Sequence, residues 1–148
     1  MGIGQKIICV NLVANQVANE HLTQVVEVLK NHKCSYDILF YTTNEKELKA
    51  VLQQRSIDML YVIAHAEQDV GIVYKDNIFS PKGLISLLGG RVPKRLYLNC
   101  CFGYELGYQE HLLRLGCEEM ITNQGFIKYN EAFANGLKFV KRLAQNTN

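Results

Sequence analysis

A chain of 148 residues with 48% hydrophobic content and a formal net charge of +2 is long enough to bury a core without disulfide or metal support, and its length is that of one domain, 1–148. Lys, Arg, Asp and Glu are interspersed with no basic face and no acidic tail, so neither nucleic acid nor an anionic membrane is expected as a partner. The five cysteines, Cys9, Cys34, Cys100, Cys101 and Cys117, are odd in number and contain no Cys-x-x-Cys pair, which suits free thiols in a reducing cytoplasm and speaks against a structural zinc site.

Lys6 to Val13 reads as a first strand. Asn11 interrupts its apolar run too early for a secretory signal, and Lys6 stands where a myristoylated Met1-Gly2 start needs Ser or Thr. No transmembrane segment or repeat is visible. Leu22, Val25, Val26 and Leu29 recur at helical spacing, and Lys30, His32 and Lys33 sit where a helix carboxyl end favours positive charge. Tyr36 to Tyr41 is predicted as a second strand, and Asn44 with Glu47 marks the start of a helix whose Leu48, Val51 and Leu52 form one stripe.

The third strand, Ile57 to Ala64, is almost wholly apolar and ends at His65, before the polar Ala66-Glu67-Gln68-Asp69. Gly71-Ile72-Val73-Tyr74 and Ile78-Phe79 flank Lys75-Asp76-Asn77 as a small β-hairpin. Ser80-Pro81 opens a helix that Gly89-Gly90 stops. Arg95 to Asn99 is the central strand, followed at once by Cys100-Cys101-Phe102-Gly103. A helix carrying Leu106, Leu112, Leu113 and Leu115 follows and ends at Gly116. Glu119 to Thr122 is a fifth strand, and Phe133, Leu137, Val140 and Ala144 line one side of a last helix. This alternation predicts a three-layer α/β sandwich with helices on both faces of a mostly parallel sheet, in strand order 2-1-3-4-5.

That order sets strands 3 and 4 side by side, their tips roughly 5 Å apart at the carboxyl edge where open α/β folds place their sites. His65 then faces the cysteine pair. An imidazole beside a thiol stabilises its thiolate or takes its proton during attack, and turn amides at Ala66 and Cys101 are placed to act as an oxyanion hole. Cys100, Glu67 and Asn99 are candidate supporting residues. The bland alternative makes the cysteines small buried hydrophobes and His65 a hydrogen-bonded core residue. A metal site is not expected, because His65 and two adjacent cysteines lack a fourth ligand. A vicinal disulfide does not suit a reducing compartment. Ala14-Asn15-Gln16 is not a Gly-rich phosphate loop, and His65 stands where a receiver-type phosphoacceptor needs Asp. His21, His32 and His111 read as surface residues.

The segments Val62-Ile63-Ala64-His65-Ala66-Glu67 and Leu98-Asn99-Cys100-Cys101-Phe102-Gly103 resemble the His-Gly and Ala-Cys-x-Gly motifs of the caspase-like cysteine peptidases, most nearly the CHAT branch. Gly116 to Ile121 and the helix from Asn130 to Leu143 resemble that family's Gly-containing strand and its last helix. The resemblance implies a caspase/flavodoxin-like fold and a cysteine endopeptidase with Cys101 as nucleophile, forming a thioester acyl-enzyme, and His65 as its partner. Cys100 occupies the position usually held by Ala, and Ala66 replaces the family's Gly. No cofactor is implied. The implied partners are a protein or peptide substrate, paired along the hairpin residues Gly71, Ile72, Val73 and Tyr74, and an activating or regulatory protein or a second copy in a homodimer. A catalytically silent binding or regulatory module of the same fold is a second reading. A flavodoxin-like small-ligand protein, resting on fold-level analogy, is a third.

Overall fold

The apolar runs become strands and the periodic segments helices. The computed structural model describes residues 6–54 and 56–145, so the Met1-Gly2 start lies outside the described residues. In chain order the elements are β1 (Ile7–Asn11), α1 (Gln16–Asn31), β2 (Asp37–Leu39), α2 (Glu45–Leu52), β3 (Met59–Ile63), β4 (His65–Glu67), β5 (Gly71–Tyr74), β6 (Asn77–Phe79), α3 (Pro81–Leu87), β7 (Arg95–Asn99), α4 (Tyr108–Arg114), β8 (Glu119–Thr122) and α5 (Tyr129–Gln145). Five of the strands form one parallel sheet of order β2-β1-β3-β7-β8, which is the predicted 2-1-3-4-5.

Both faces of this sheet are covered, as continuous apolar strands require. Ile8, Val10, Leu60, Val62, Leu96 and Leu98 point to the side packed by α2, α3 and α4, through Leu48, Leu52, Leu84, Leu87 and Leu112. The alternate residues Ile7, Cys9, Met59, Tyr61, Ile63 and Tyr97 meet α1 and α5 through Leu22, Val25, Leu29, Phe139, Val140 and Leu143. Local chemistry starts the helices where the sequence marks them. The Asn44 side chain accepts from the amides of Lys46 and Glu47, and the Ser80 hydroxyl accepts from that of Gly83 with Pro81 at the first position.

Several expectations need correction. His65 does not end β3; it opens β4, so the predicted hairpin is the outer part of a three-stranded antiparallel sheet, β4-β5-β6. Strand β5 is the middle strand, bonded on both sides, and Gly71, Ile72 and Tyr74 are buried. Its backbone therefore has no free edge for a substrate strand; the edges are β4 and β6. Tyr108 anchors this small sheet to α4, its phenol accepting from the Ile72 amide at 2.9 Å and donating to the Phe79 carbonyl.

The helix predicted after Gly103 is only α4. Residues 101–107 make turns instead, with positive φ at Phe102 and Gly107, and Leu113 and Leu115 are exposed. His21 is not a surface residue but is 1% exposed, since it shares the inward face of α1 with Ala18, Leu22 and Val25. No helix among the described residues is long and apolar enough to cross a membrane.

Candidate functional site

The parallel sheet brings the ends of β1, β3 and β7 to its carboxyl edge, and the start of α5 lies across them. Cys101 follows β7 by two residues. Its half-buried Sγ is held by one peptide segment, donating to the Ile127 carbonyl at 3.5 Å and accepting from the Ile127 amide at 3.4 Å. Two residues further along stands Tyr129, the first residue of α5. Its hydroxyl lies 3.0 Å from Nε2 of the exposed His65. Partial burial raises the Tyr129 phenol above its ordinary value, with Asn15 drawing it down and Cys101 adding to the rise.

No hydrogen bond joins His65 to Cys101 among the described residues: Cys101 bonds Ile127, and His65 bonds Tyr129. The imidazole is instead paired with a phenol that no sequence motif marked. Tyr129 is itself oriented from the interior, stacking on Phe133 at 5.3 Å between ring centroids and 19° between planes. Phe133 in turn stacks on His21 at 4.1 Å and 6°.

The turn that carries Cys101 is clasped along its length. Phe102, at φ 59°, donates its amide to the Gly125 carbonyl at 2.8 Å, and the Tyr104 amide donates to the Asn123 carbonyl at 3.1 Å. The Glu105 carboxylate accepts from the Gly125 amide at 2.9 and 3.0 Å. A bulky residue with left-handed backbone is an outlier that its surroundings must enforce, and here the clasp does so. At Gly103 a Cβ would collide with the Thr122 side chain, so glycine is needed for close approach to β8.

Beneath the turn lies a buried polar network. Asn123 Nδ2 donates to Asn99 Oδ1 at 2.8 Å and to the Cys100 carbonyl at 3.1 Å. Asn99 Nδ2 donates to the Tyr61 hydroxyl and to the Ala132 carbonyl, each at 2.9 Å, and the Tyr61 hydroxyl lies 2.5 Å from His21 Nε2. Asn99 thus ties β7 to β3 and to the first turn of α5, and Asn123 holds the backbone from which Cys101 projects. Cys100 points the other way into the core, where burial pushes its thiol up to about 12. Ala66 lies within β4 opposite Ile72, and Glu67 closes β4 opposite Gly71 with its side chain exposed. Among the described residues no three His, Cys, Asp or Glu side chains are grouped to hold a metal ion.

The β1–α1 turn forms the remaining side of the edge, and its own side chains fill it. Asn11 Oδ1 accepts from the Val13 amide at 2.8 Å, and its Nδ2 reaches the Val13 carbonyl at 3.0 Å and Asn19 Oδ1 at 2.7 Å.

No family model matches this chain, and no curated protein matches it. Among solved structures it is similar to oxidised Flavodoxin 1 from Bacillus cereus, at 12% identity and a TM-score of 0.59, covering 97% of this chain and 100% of that one. It is similar also to a short-chain flavodoxin associated with a non-canonical PDU bacterial microcompartment, at 13% identity and a TM-score of 0.56, covering 97% and 99%. A third is Flavodoxin 2 from Bacillus cereus, at 14% identity and a TM-score of 0.51, covering 95% and 99%. The fold is flavodoxin-like.

This corrects the caspase-like, CHAT-type reading and the cysteine endopeptidase that came with it, since the structures the chain resembles are flavodoxins. The thioester acyl-enzyme on Cys101 came with that family and loses its support, and the assistance by His65 and the oxyanion amides at Ala66 and Cys101, read from the strand ends, lose the peptidase chemistry they would serve. So does the silent module of a caspase fold. The motifs misled for a geometric reason: in any sheet of this order the third and fourth strands end side by side, so a His after one and a Cys after the other meet without shared chemistry.

Proposed function

We propose that this chain is a small-ligand-binding protein of the flavodoxin-like fold, its ligand held at the carboxyl edge of the sheet where His65, Tyr129 and Cys101 converge. One observation carries the reading: the Tyr129 hydroxyl lies 3.0 Å from His65 Nε2, and Ile127, two residues before it, holds the Cys101 thiol, so three chain segments meet at the edge where open α/β folds hold ligands. The supports of these heads are rigid. Phe133 and His21 back the phenol, and Asn99 and Asn123 hold the turn of Cys101.

An imidazole, a phenol and a thiol make a set of hydrogen-bonding groups without Lys or Arg. Such a set suits a neutral, planar ligand that hydrogen-bonds at its rim and stacks on an aromatic face. Cys9, Cys100, Cys101 and Cys117, free thiols in apolar surroundings, fit a protein of the reducing cytoplasm. In a flavodoxin-like sheet the flavin mononucleotide sits at the switch point between β1 and β3. The filled β1–α1 turn does not fit the phosphate of that nucleotide, so no electron transfer through a flavin is derived for this chain.

The test is to titrate the ¹⁵N-labelled chain with nicotinamide, uracil, adenine and p-cresol at millimolar concentration. Amide shifts confined to 64–67, 100–103 and 125–129, and lost in Tyr129→Ala, support the reading. Shifts confined to other regions, or none with any probe, refute it.

A further inference from the structure

The turn between β1 and α1 is where a fold of this order presents a helix N-terminus to an anion, its free amides aimed at the ligand. Here four of the amides are spent on the chain itself. The Leu12 amide donates to the Ile63 carbonyl at 2.8 Å, and that of Asn15 to the Val13 carbonyl at 2.8 Å. The Val13 amide goes to Asn11 Oδ1 at 2.8 Å, and the Val17 amide to Asn15 Oδ1 at 2.7 Å. The carboxamides of Asn11 and Asn15 thus take the place that phosphate oxygens would need.

The surroundings agree. Asn11 is 1% exposed, and Leu12 and Val13 are 5% and 2% exposed, so the entry to the turn is apolar and closed, while Ala14, Gln16 and Val17 at its outer end are exposed. Asn19 Oδ1 accepts from both Asn11 Nδ2 and the Tyr41 amide, at 2.7 and 3.2 Å, which pins the turn to the segment after β2. From Asn11 to Leu22 there is no Ser, Thr, Gly, Lys or Arg, so neither a hydroxyl, a flexible backbone nor a cation is present to receive an anion.

We propose that the β1–α1 turn is a structural latch formed by Asn11, Asn15 and Asn19, closed to a phosphate monoester, and that the ligand class of this fold is here restricted to molecules without a phosphate at that turn. The restriction on ligand class rests on the reading of the carboxyl edge as a ligand site; the latch itself does not.

FMN and riboflavin differ only by the phosphate, so their relative affinity for the full chain, read by flavin fluorescence and equilibrium dialysis, isolates it. A phosphate seated on free amides favours FMN by well over about tenfold, because charge-assisted bonds are the strong ones. The latch predicts that FMN binds no more than about twofold tighter than riboflavin, or that neither binds. It also predicts that millimolar inorganic phosphate leaves the amide signals of residues 12–18 unmoved, and that the Val13 and Asn15 amides exchange slowly with deuterium. In Asn11→Ala the Val13 amide exchanges at least about tenfold faster; were that variant unfolded, the wild-type measurements alone decide. A clear preference for FMN, phosphate-induced shifts at residues 12–18, or an unprotected Val13 amide overturns the latch. Failure of the neutral probes to move residues 64–67 and 125–129 overturns the ligand site and leaves the latch standing, so the two are told apart.

Discussion

Acid should unfold this protein through His21. The imidazole is 1% exposed on the inner face of α1, stacked on Phe133, with Nε2 2.5 Å from the Tyr61 hydroxyl. Because Tyr61 already accepts from Asn99 Nδ2, its own proton is free for Nε2, which assigns His21 as neutral with Nε2 the acceptor. Burial pulls its pKa from 6.5 to about 4, with the Gln24 side chain drawing it slightly back. The unfolded chain therefore takes up a proton near pH 6.5 and the folded chain only near 4. Between those values the unfolded state binds more protons, so stability is full above pH 6.5, falls as pH drops towards 4, and is lowered by a constant amount below that.

The size of the loss follows from the fall of the His21 pKa from 6.5 to about 4, at about 1.36 kcal/mol per pH unit, and is on the order of 3 kcal/mol. Against the roughly 5–15 kcal/mol of an ordinary domain this is a large share. The assay is urea unfolding by circular dichroism at pH 7.5, 5.5 and 4.5, on the wild type and on His21→Gln, which cannot titrate. Carboxylates change both proteins alike, so the difference in pH dependence belongs to His21. The wild type should lose about 2.5 kcal/mol more than the variant by pH 4.5. Parallel pH dependences, or an NMR titration of the His21 ring with its midpoint at 6 or above, refute the reasoning.

Iodoacetamide near neutral pH should label Cys101 before Cys9, Cys100 and Cys117, which are buried; mass mapping that finds Cys100 as fast as Cys101 contradicts the orientation of the turn. Asn123→Ala removes donors to Asn99 and the Cys100 carbonyl and should cost about 2–3 kcal/mol in chemical denaturation while speeding alkylation of Cys101; an unchanged midpoint and rate exclude a role for this buried network in holding the turn. Gly136→Ala should destabilise by about 1–3 kcal/mol even though Ala is the better helix former by about 1, because its Cβ would collide with the Tyr61 hydroxyl; a rise in melting temperature contradicts that contact.

Much of this architecture is a matter of short-range chemistry, and the sequence by itself determined that part. The apolar runs ending at Ile63 and Asn99, the caps at Asn44 and Ser80 and the stripe Leu22-Val25-Leu29 depend on neighbours a few residues away, so element type, strand order and the shared edge of β3 and β7 could be read directly. The partner choices at that edge could not. Tyr129 meets His65 across 64 positions, Tyr61 meets His21 across 40 and Asn123 meets Asn99 across 24, and no local period records such distances. His21 shows the same limit within one helix, where the inward face that packs Ala18 and Val25 overrides the polarity of a single residue. The side-by-side strand ends on which the two motifs relied are common to any parallel sheet of order 2-1-3-4-5, and only the three-dimensional path of nearly the whole chain separated a flavodoxin-like fold from the peptidase the motifs imitate. Tertiary structure alone decided that a phenol, and not a thiol, stands beside the imidazole, because the start of α5 brings Tyr129 to His65 from across the chain.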